Sequence, residues 1–293
     1  MLIMSASFNL LDRKRLKGLL LFCPVWVLLF WGCGRTVESP EKVLKCELVS
    51  YIKSYPDSSF FSQVGTMQYQ DGKIYLLDEA RRDVAVMDLE FSDFSLIGKP
   101  GDGPGELVRP VGFYVEKDTV YILDGGTVNV KRYFDSEFIS SFSVPAANDY
   151  RFFMNKDTIF LSAVTDSTFY TKSAESWQRG DLFTLVLAGN VHDFGNARRN
   201  MVLNQRHLVK DSTSLYGITS SSSLLGKYDL SSNKQVATFD LSSVSLIKDN
   251  LTYEGSQPYD PKSYYTFISD AYAMNGYLYL LCSELKDRDK GGF

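Results

Sequence analysis

Residues 111–144 read VGFYVEKDTVYILDGGTVNVKRYFDSEFISSFSV, and their alternation decides the fold. Four runs, VGFYV (111–115), TVYIL (119–123), VNVKRYF (128–134) and FISSFSV (138–144), are separated by Lys117-Asp118, Asp124-Gly125-Gly126 and Asp135-Ser136-Glu137. A period of two in the apolar side chains marks a strand with one buried face, and short Asp/Gly turns join such strands into antiparallel hairpins. The stretch therefore reads as a four-stranded meander. The residues before it repeat the order with KIYLLD (73–78), DVAVMDLE (83–90) and FSLIG (94–98).

The same polar turn and alternating strand recur along the chain as DGKIYLLDE from Asp71, KDTVYILDG from Lys117, KDTIFLSAV from Lys156, KDSTSLYGI from Lys210 and MNGYLYLLC from Met274. With Tyr75, Tyr121, Phe160, Leu215 and Tyr279 taken as equivalent, the spacings are 46, 39, 55 and 64 residues. The first two match the ~40–50 residues of a propeller blade. A lone meander cannot bury both faces, and radial packing of several meanders buries those faces and shields their edges. The fold class expected is all-β, a six-bladed β-propeller. Only about five blades are visible, and the chain stops 14 residues after Tyr279 without the outer strands of that blade, so the propeller is expected to be incomplete at the C-terminus.

Residues 98–142, GKPGDGPGELVRPVGFYVEKDTVYILDGGTVNVKRYFDSEFISSF, resemble an NHL-type repeat and, more closely, the TolB-like six-bladed propeller lipoproteins of Gram-negative bacteria, whose hallmark is a G-x-GPGE loop between blades. The resemblance is strong across residues 65–145, weaker to 241 and faint beyond. It implies a periplasm-facing or surface lipoprotein of the cell envelope and no common reaction.

The N-terminus fits that address. Basic Arg13, Lys14, Arg15 and Lys17 precede an apolar run of 14 residues, GLLLFCPVWVLLFW, then Gly32-Cys33. This is the order of a signal peptide, and the run is shorter than the ~20 residues of a spanning helix. Gly32 before Cys33 resembles a lipobox, although Phe30-Trp31 departs from it. The expected organisation is a signal peptide at 1–32, a lipid-anchored linker at 33–43 with Cys33 acylated, and the propeller at 44–293.

The whole chain has 293 residues, 44% hydrophobic, with a formal charge of −4. Without residues 1–32 it keeps 27 basic and 34 acidic residues, a net of −7. Such a chain has no basic excess for a phosphate backbone, so nucleic acid is not an expected partner. Its membrane hold must come from acyl chains, since an acidic domain gains nothing electrostatically from anionic lipid. Cys46 and Cys282 form either a bridge or two isolated core thiols. Nothing has CxxC spacing, so no metal is expected.

Gly101, Gly103, Pro104, Gly105 and Glu106 form the most conspicuous motif. It lacks the GxxxxGK[ST] and following helix of a phosphate loop, and two carboxylates are too few for calcium, so an interblade turn is expected. His192 and His207 lack metal-ligand spacing and read as surface or hydrogen-bonded side chains, and the Ser220–Ser223 run reads as a hairpin turn. Insertions at 165–180 and 248–265 expand two blades and carry Trp177, Tyr253, Tyr259, Tyr264 and Tyr265. Loops on a rigid scaffold display binding groups, and tyrosines suit carbohydrate, peptide or protein contacts. The function expected is therefore an exported, lipid-anchored binding or scaffolding module without catalytic residues or cofactor, meeting an envelope complex or a glycan or peptide ligand. The alternative is a glycan- or peptide-processing hydrolase or lyase in the propeller funnel. That reading needs paired carboxylates about 5–10 Å apart, with Asp78 and Asp124 as candidates.

Overall fold

The alternating runs fold as strands that pair in chain order. The computed structural model describes residues 2–6, 41–44, 48, 50–144, 151–155, 158–162, 184–188, 193–211, 213–232, 234–258, 260, 264–274 and 277–288. Two N-terminal strands, β1 (Leu2–Ala6) and β2 (Glu41–Leu44), precede the first meander, which consists of β3 (Val64–Gln70), β4 (Lys73–Asp78), β5 (Asp83–Asp88) and β6 (Phe94–Ile97). The second is β7 (Pro110–Glu116), β8 (Thr119–Asp124), β9 (Asn129–Phe134) and β10 (Glu137–Ser143). β11 (Phe153–Asn155), β12 (Thr158–Ser162) and β13 (Thr184–Ala188) form a third sheet, in which β13 pairs parallel to β12. That pairing departs from the antiparallel meander of the first two sheets.

A helix, α1 (Ala197–Asn204), leads into the fourth sheet of β14 (Arg206–Lys210), β15 (Ser214–Thr219), β16 (Leu224–Asp229) and β17 (Lys234–Asp240). The chain then runs through α2 (Ser245–Ser256), β18 (Ile268–Met274), β19 (Tyr277–Cys282) and the short α3 (Leu285–Arg288). The last sheet has the order β18-β19-β1-β2, so its outer strands come from the N-terminus. β1 lies in the stretch read as signal peptide, and a chain processed at Cys33 would keep β2 and shed β1.

Tyr75, Tyr121, Phe160, Leu215 and Tyr279 all fall on the second strand of their sheets, β4, β8, β12, β15 and β19. Adjacent sheets pack face to face. Leu77, Val84 and Val86 of the first sheet meet Phe113, Val120 and Ile122 of the second. Leu123 and Val130 of the second meet Met154, Ile159 and Leu161 of the third, and Phe153 and Phe160 of the third meet Leu208, Leu215 and Tyr228 of the fourth. Tyr216, Ile218 and Leu225 of the fourth close on Ile268, Leu278 and Leu280 of the fifth, with Ile247 of α2 and Phe267 just before β18. Each such side chain contributes about 1.5–3 kcal/mol on burial. First strands lie inside the array, with β3 beside β7 and β14 beside β18. The Gln68 amide extends this contact, donating to the Val115 carbonyl and accepting from the Val115 N–H, both at 3.0 Å.

Part of the insertion read as a loop at 248–265 is helical, because α2 spans Ser245–Ser256 and buries Ile247 and Asn250. The Asn250 amide accepts from Leu285 N and donates to the Ser283 carbonyl, both at 2.9 Å, tying the helix to the end of β19.

Candidate functional site

The two carboxylates considered for catalysis are fully buried and occupied within their own blades. Asp124, at the end of β8, accepts from Arg109 N (2.8 Å), Gly126 N (3.1 Å), Val108 N (3.2 Å) and Thr127 Oγ1 (3.0 Å). Asp78, 46 residues earlier at the end of β4, accepts from Ser62 N (2.9 Å), Gln63 N (3.1 Å) and Arg81 N (3.1 Å). Both therefore hold the backbone residues 15 and 16 positions before them, where the chain enters the blade. Burial pushes each carboxyl up, but the hydrogen bonds to its charged form prevail and hold both below the ordinary carboxylate range.

The same carboxylate position finds its last donor in two ways. At Asp124 it is Lys131 Nζ, 3.0 Å away and buried, which also donates to the Glu106 carbonyl. The position 46 residues before Lys131 is Ala85, whose small side chain leaves room for Tyr55, and the Tyr55 hydroxyl donates to Asp78 at 3.2 Å.

Gly101, Gly103, Pro104, Gly105 and Glu106 lie on the connection between β6 and β7. Glu106 accepts from Gly103 N at 2.9 Å and meets Lys99 Nζ at 3.3 Å, and these two contacts hold its carboxyl below the ordinary range. Gly101 has φ +151°, and a Cβ on Gly105 would sit 2.8 Å from the Phe138 Cβ.

Among the aromatic candidates, Tyr253 on α2 and Tyr265 are half-buried against the core between the fourth and fifth sheets, with ring centroids 6.2 Å apart at 88°. Tyr264 is half-buried between α2 and β18. Trp177, Tyr259, Cys33, Cys46 and His192 lie outside the described residues. Cys282 has a free, buried thiol, which burial pushes up to about 11.

His207 is buried, with Nε2 3.1 Å from Ser220 Oγ and 3.2 Å from the Ile268 carbonyl. A carbonyl only accepts, so this bond puts the ring proton on Nε2 and leaves that nitrogen unable to take one from Ser220. Burial, with the nearby Arg151 guanidinium, outweighs the pull of Asp270 and the Ile268 carbonyl and pushes His207 down to about 4. Arg151, two residues before β11, and Asp270 on β18 themselves pair at 2.5 Å.

The described residues also build a cavity of about 520 Å³ on the fourth sheet. Antiparallel partners share a face, so Arg206 and Thr219, Leu208 and Gly217, and Gly217 and Gly226 lie side by side. The two facing glycines make room for the Tyr228 ring, whose Cε2 lies 3.2 Å from where a Gly226 Cβ would stand, and for Leu208, whose Cδ2 lies 3.3 Å from a Gly217 Cβ. Helix α1, capped by the Asn196 side chain on Arg199 N, contributes Arg199 and Leu203, and α2 contributes Glu254. On the far wall the Tyr228 hydroxyl donates to Gln235 Oε1 at 3.3 Å and Gln235 Nε2 donates to Thr238 Oγ1 at 2.8 Å. Thr219 is 8% exposed, and its Oγ1 has no hydrogen-bond partner among the described residues. Burial pushes Glu254 up against the opposing pull of Arg199.

The sequence reading did not single out this cavity. Its signal was the isolated glycines at 217 and 226 inside strand patterns, which mark close approach of a backbone or ligand. Among the described residues no group of three or more His, Cys, Asp and Glu side chains is placed to hold a metal ion, and no helix is long and apolar enough to cross a membrane.

Comparison with known proteins supports the architecture. Residues 45–173 match the family described as 6-bladed beta-propeller. No curated protein matches the chain. Similar solved structures include a Bacteroides fragilis NCTC 9343 protein at 16% identity, covering 68% of this chain and 77% of that one, with a TM-score of 0.34. Virginiamycin B lyase from Staphylococcus aureus is 11% identical, with 61% and 56% covered and a TM-score of 0.35. Myxococcus xanthus glutaminyl cyclase is 10% identical, with 73% and 69% covered and a TM-score of 0.32. Similarity at this level says nothing of activity. The family match and the face-to-face packing of successive meanders identify the chain as a β-propeller protein.

Proposed function

We propose that the chain is an NHL- or TolB-like propeller, exported and anchored by acyl chains on Cys33 to the cell envelope of a Gram-negative bacterium, where it binds a ligand without transforming it. The observation that carries this reading is the preformed cavity on the fourth sheet, floored by Gly217 and Gly226 and walled by an oriented Tyr228-Gln235-Thr238 chain. At about 520 Å³ it falls within the 300–1,000 Å³ typical of small-molecule sites. The carboxylates of the enzymatic alternative, Asp78 and Asp124, are committed to backbone N–H groups. The membrane is met through the lipid, and the partner is an envelope complex or a glycan or peptide.

One observation favours a hydrolase or lyase instead: Glu254, with its carboxyl pushed up by burial, lines the cavity. It is the one carboxylate among the described lining residues, whereas glycoside hydrolysis takes two. Affinity purification from detergent-solubilised envelopes, with the purified protein then incubated with glycans and peptides, separates the readings. Recovery with bound partner or ligand and no turnover supports a binding module. Cleavage of a substrate that is lost in Glu254→Gln would establish the enzyme.

A further inference from the structure

We infer that the cavity on the fourth sheet takes a neutral saccharide of two or three sugar units, an inference that rests on the binding reading above. Shape is the first ground. Gly217 and Gly226 face each other across β15 and β16, and with no side chains of their own they let the Tyr228 ring and the Gln235 amide lie over the middle of the sheet beside a cavity of about 520 Å³. A Cβ on Gly226 would lie 3.2 Å from Tyr228 Cε2 and 3.6 Å from Gln235 Nε2. The glycine thus makes room for the Tyr228 ring, which lines the cavity. A cavity of this volume, lined by Leu203, Leu224 and the edge of the Tyr228 ring as well as by polar groups, accommodates a pyranose, whose C–H face is apolar although its rim is hydroxylated.

The second ground is the arrangement of polar groups. A sugar hydroxyl both donates and accepts, and so needs walls that offer both roles. Tyr228 and Gln235 are fixed by the chain that runs from the Tyr228 hydroxyl through the Gln235 amide to Thr238 Oγ1. Thr238 Oγ1 accepts from Gln235, which leaves its own proton to donate. Thr219 Oγ1, more than nine-tenths buried and without a partner among the described residues, lines the opposite part of the cavity. A buried hydroxyl left unsatisfied is costly, and a ligand hydroxyl would satisfy it where a lipid tail would not.

Charge argues against the simpler ionic ligands: the lining carries Arg199 and Arg206 but also Glu254, so a cation would meet two guanidiniums and a polyanion a carboxylate. Guanidinium donors and a carboxylate acceptor on one wall fit the vicinal hydroxyls of an uncharged sugar.

The test is titration calorimetry of the full mature chain with maltotriose, cellotriose and N,N′,N″-triacetylchitotriose, with triglycine and citrate as the peptide and anion probes. Saturable binding of at least one trisaccharide is expected, weakened about tenfold in Thr219→Val and again in the rim variant Thr238→Ala, at unchanged melting temperature. Thr238 is exposed and its truncation leaves the sheet intact, so a folding defect in Thr219→Val would not remove the test. Failure of all three trisaccharides to bind, or binding that neither variant weakens, would overturn the inference. Binding of triglycine or citrate alone would overturn the ligand class and leave the binding reading standing. A shortened trisaccharide would overturn the binding reading itself.

Discussion

Substituting Asp124 by Ala removes an acceptor that serves four donors from the blade's own chain and one buried ammonium. Asp124 is fully buried, and Lys131 keeps only 4% of its side chain exposed, with 3.0 Å between Nζ and Oδ2. In Asp124→Ala the Lys131 charge stays buried without its counter-ion, a change worth about 3–5 kcal/mol. The orphaned Val108 and Arg109 N–H groups act in the same direction, since each unsatisfied buried donor costs about 1–3 kcal/mol where water does not replace the partner. With about 2–4 °C per kcal/mol for a domain of this size, the melting temperature should fall by about 6–20 °C, as read by circular dichroism. Asp124→Ala combined with Lys131→Met should recover part of that loss, because no charge is then stranded. Asp124 titrates below its ordinary range in the folded chain, so its contribution is complete above about pH 4 and is lost as pH falls through the lower folded value. The gap between wild type and Asp124→Ala should therefore close only in that acidic window. A variant melting within about 2 °C of wild type at neutral pH, or a double variant less stable than Asp124→Ala, would refute the reasoning.

Val128 has φ +54°, a left-handed conformation that is unfavourable for a β-branched residue, so Val128→Asn should stabilise the chain by about 0.5–1 kcal/mol; a lower melting temperature would count against this. Gly105→Ala places a Cβ 2.8 Å from the Phe138 Cβ and should cost about 1–3 kcal/mol in urea unfolding, whereas an unchanged midpoint would show that the loop yields freely. His207, pushed down to about 4, should titrate by NMR with a midpoint far below the ordinary 6.5; because the unfolded chain binds its proton first, stability should fall as pH drops from about 6.5 towards 4. Labelling with radioactive palmitate should be abolished in Cys33→Ala, and equal labelling of both forms would refute acylation there.

The repeat was legible because each second strand carries its own turn and alternation, from Lys73–Asp78 to Tyr277–Cys282. Asp78 and Asp124 were visible as residues but not as roles, since their donors, Ser62, Gln63, Val108 and Arg109, have no distinguishing chemistry beyond a backbone N–H. Helix α2 escaped notice because it buries Asn250, a polar side chain that bonds the start of α3 and thereby blurs the apolar period of the helix. The N-terminal completion of the fifth sheet joins Leu2–Ala6 to Tyr277–Cys282, a pairing that no local pattern announces. The cavity was hidden for the same reason. Arg199, Thr219, Tyr228 and Glu254 converge only once β14–β17 and two helices are assembled, and the glycines that line it are defined by what they lack.

The central claim is that this propeller holds a short neutral saccharide in the fourth-sheet cavity and does not transform it. Equilibrium dialysis of the purified mature chain against the trisaccharides, with mass spectrometry of both chambers after prolonged incubation, tests this most directly. The account predicts retention of an intact trisaccharide by wild type and its loss in Thr219→Val. No retention, or shortened products in either chamber, would contradict it.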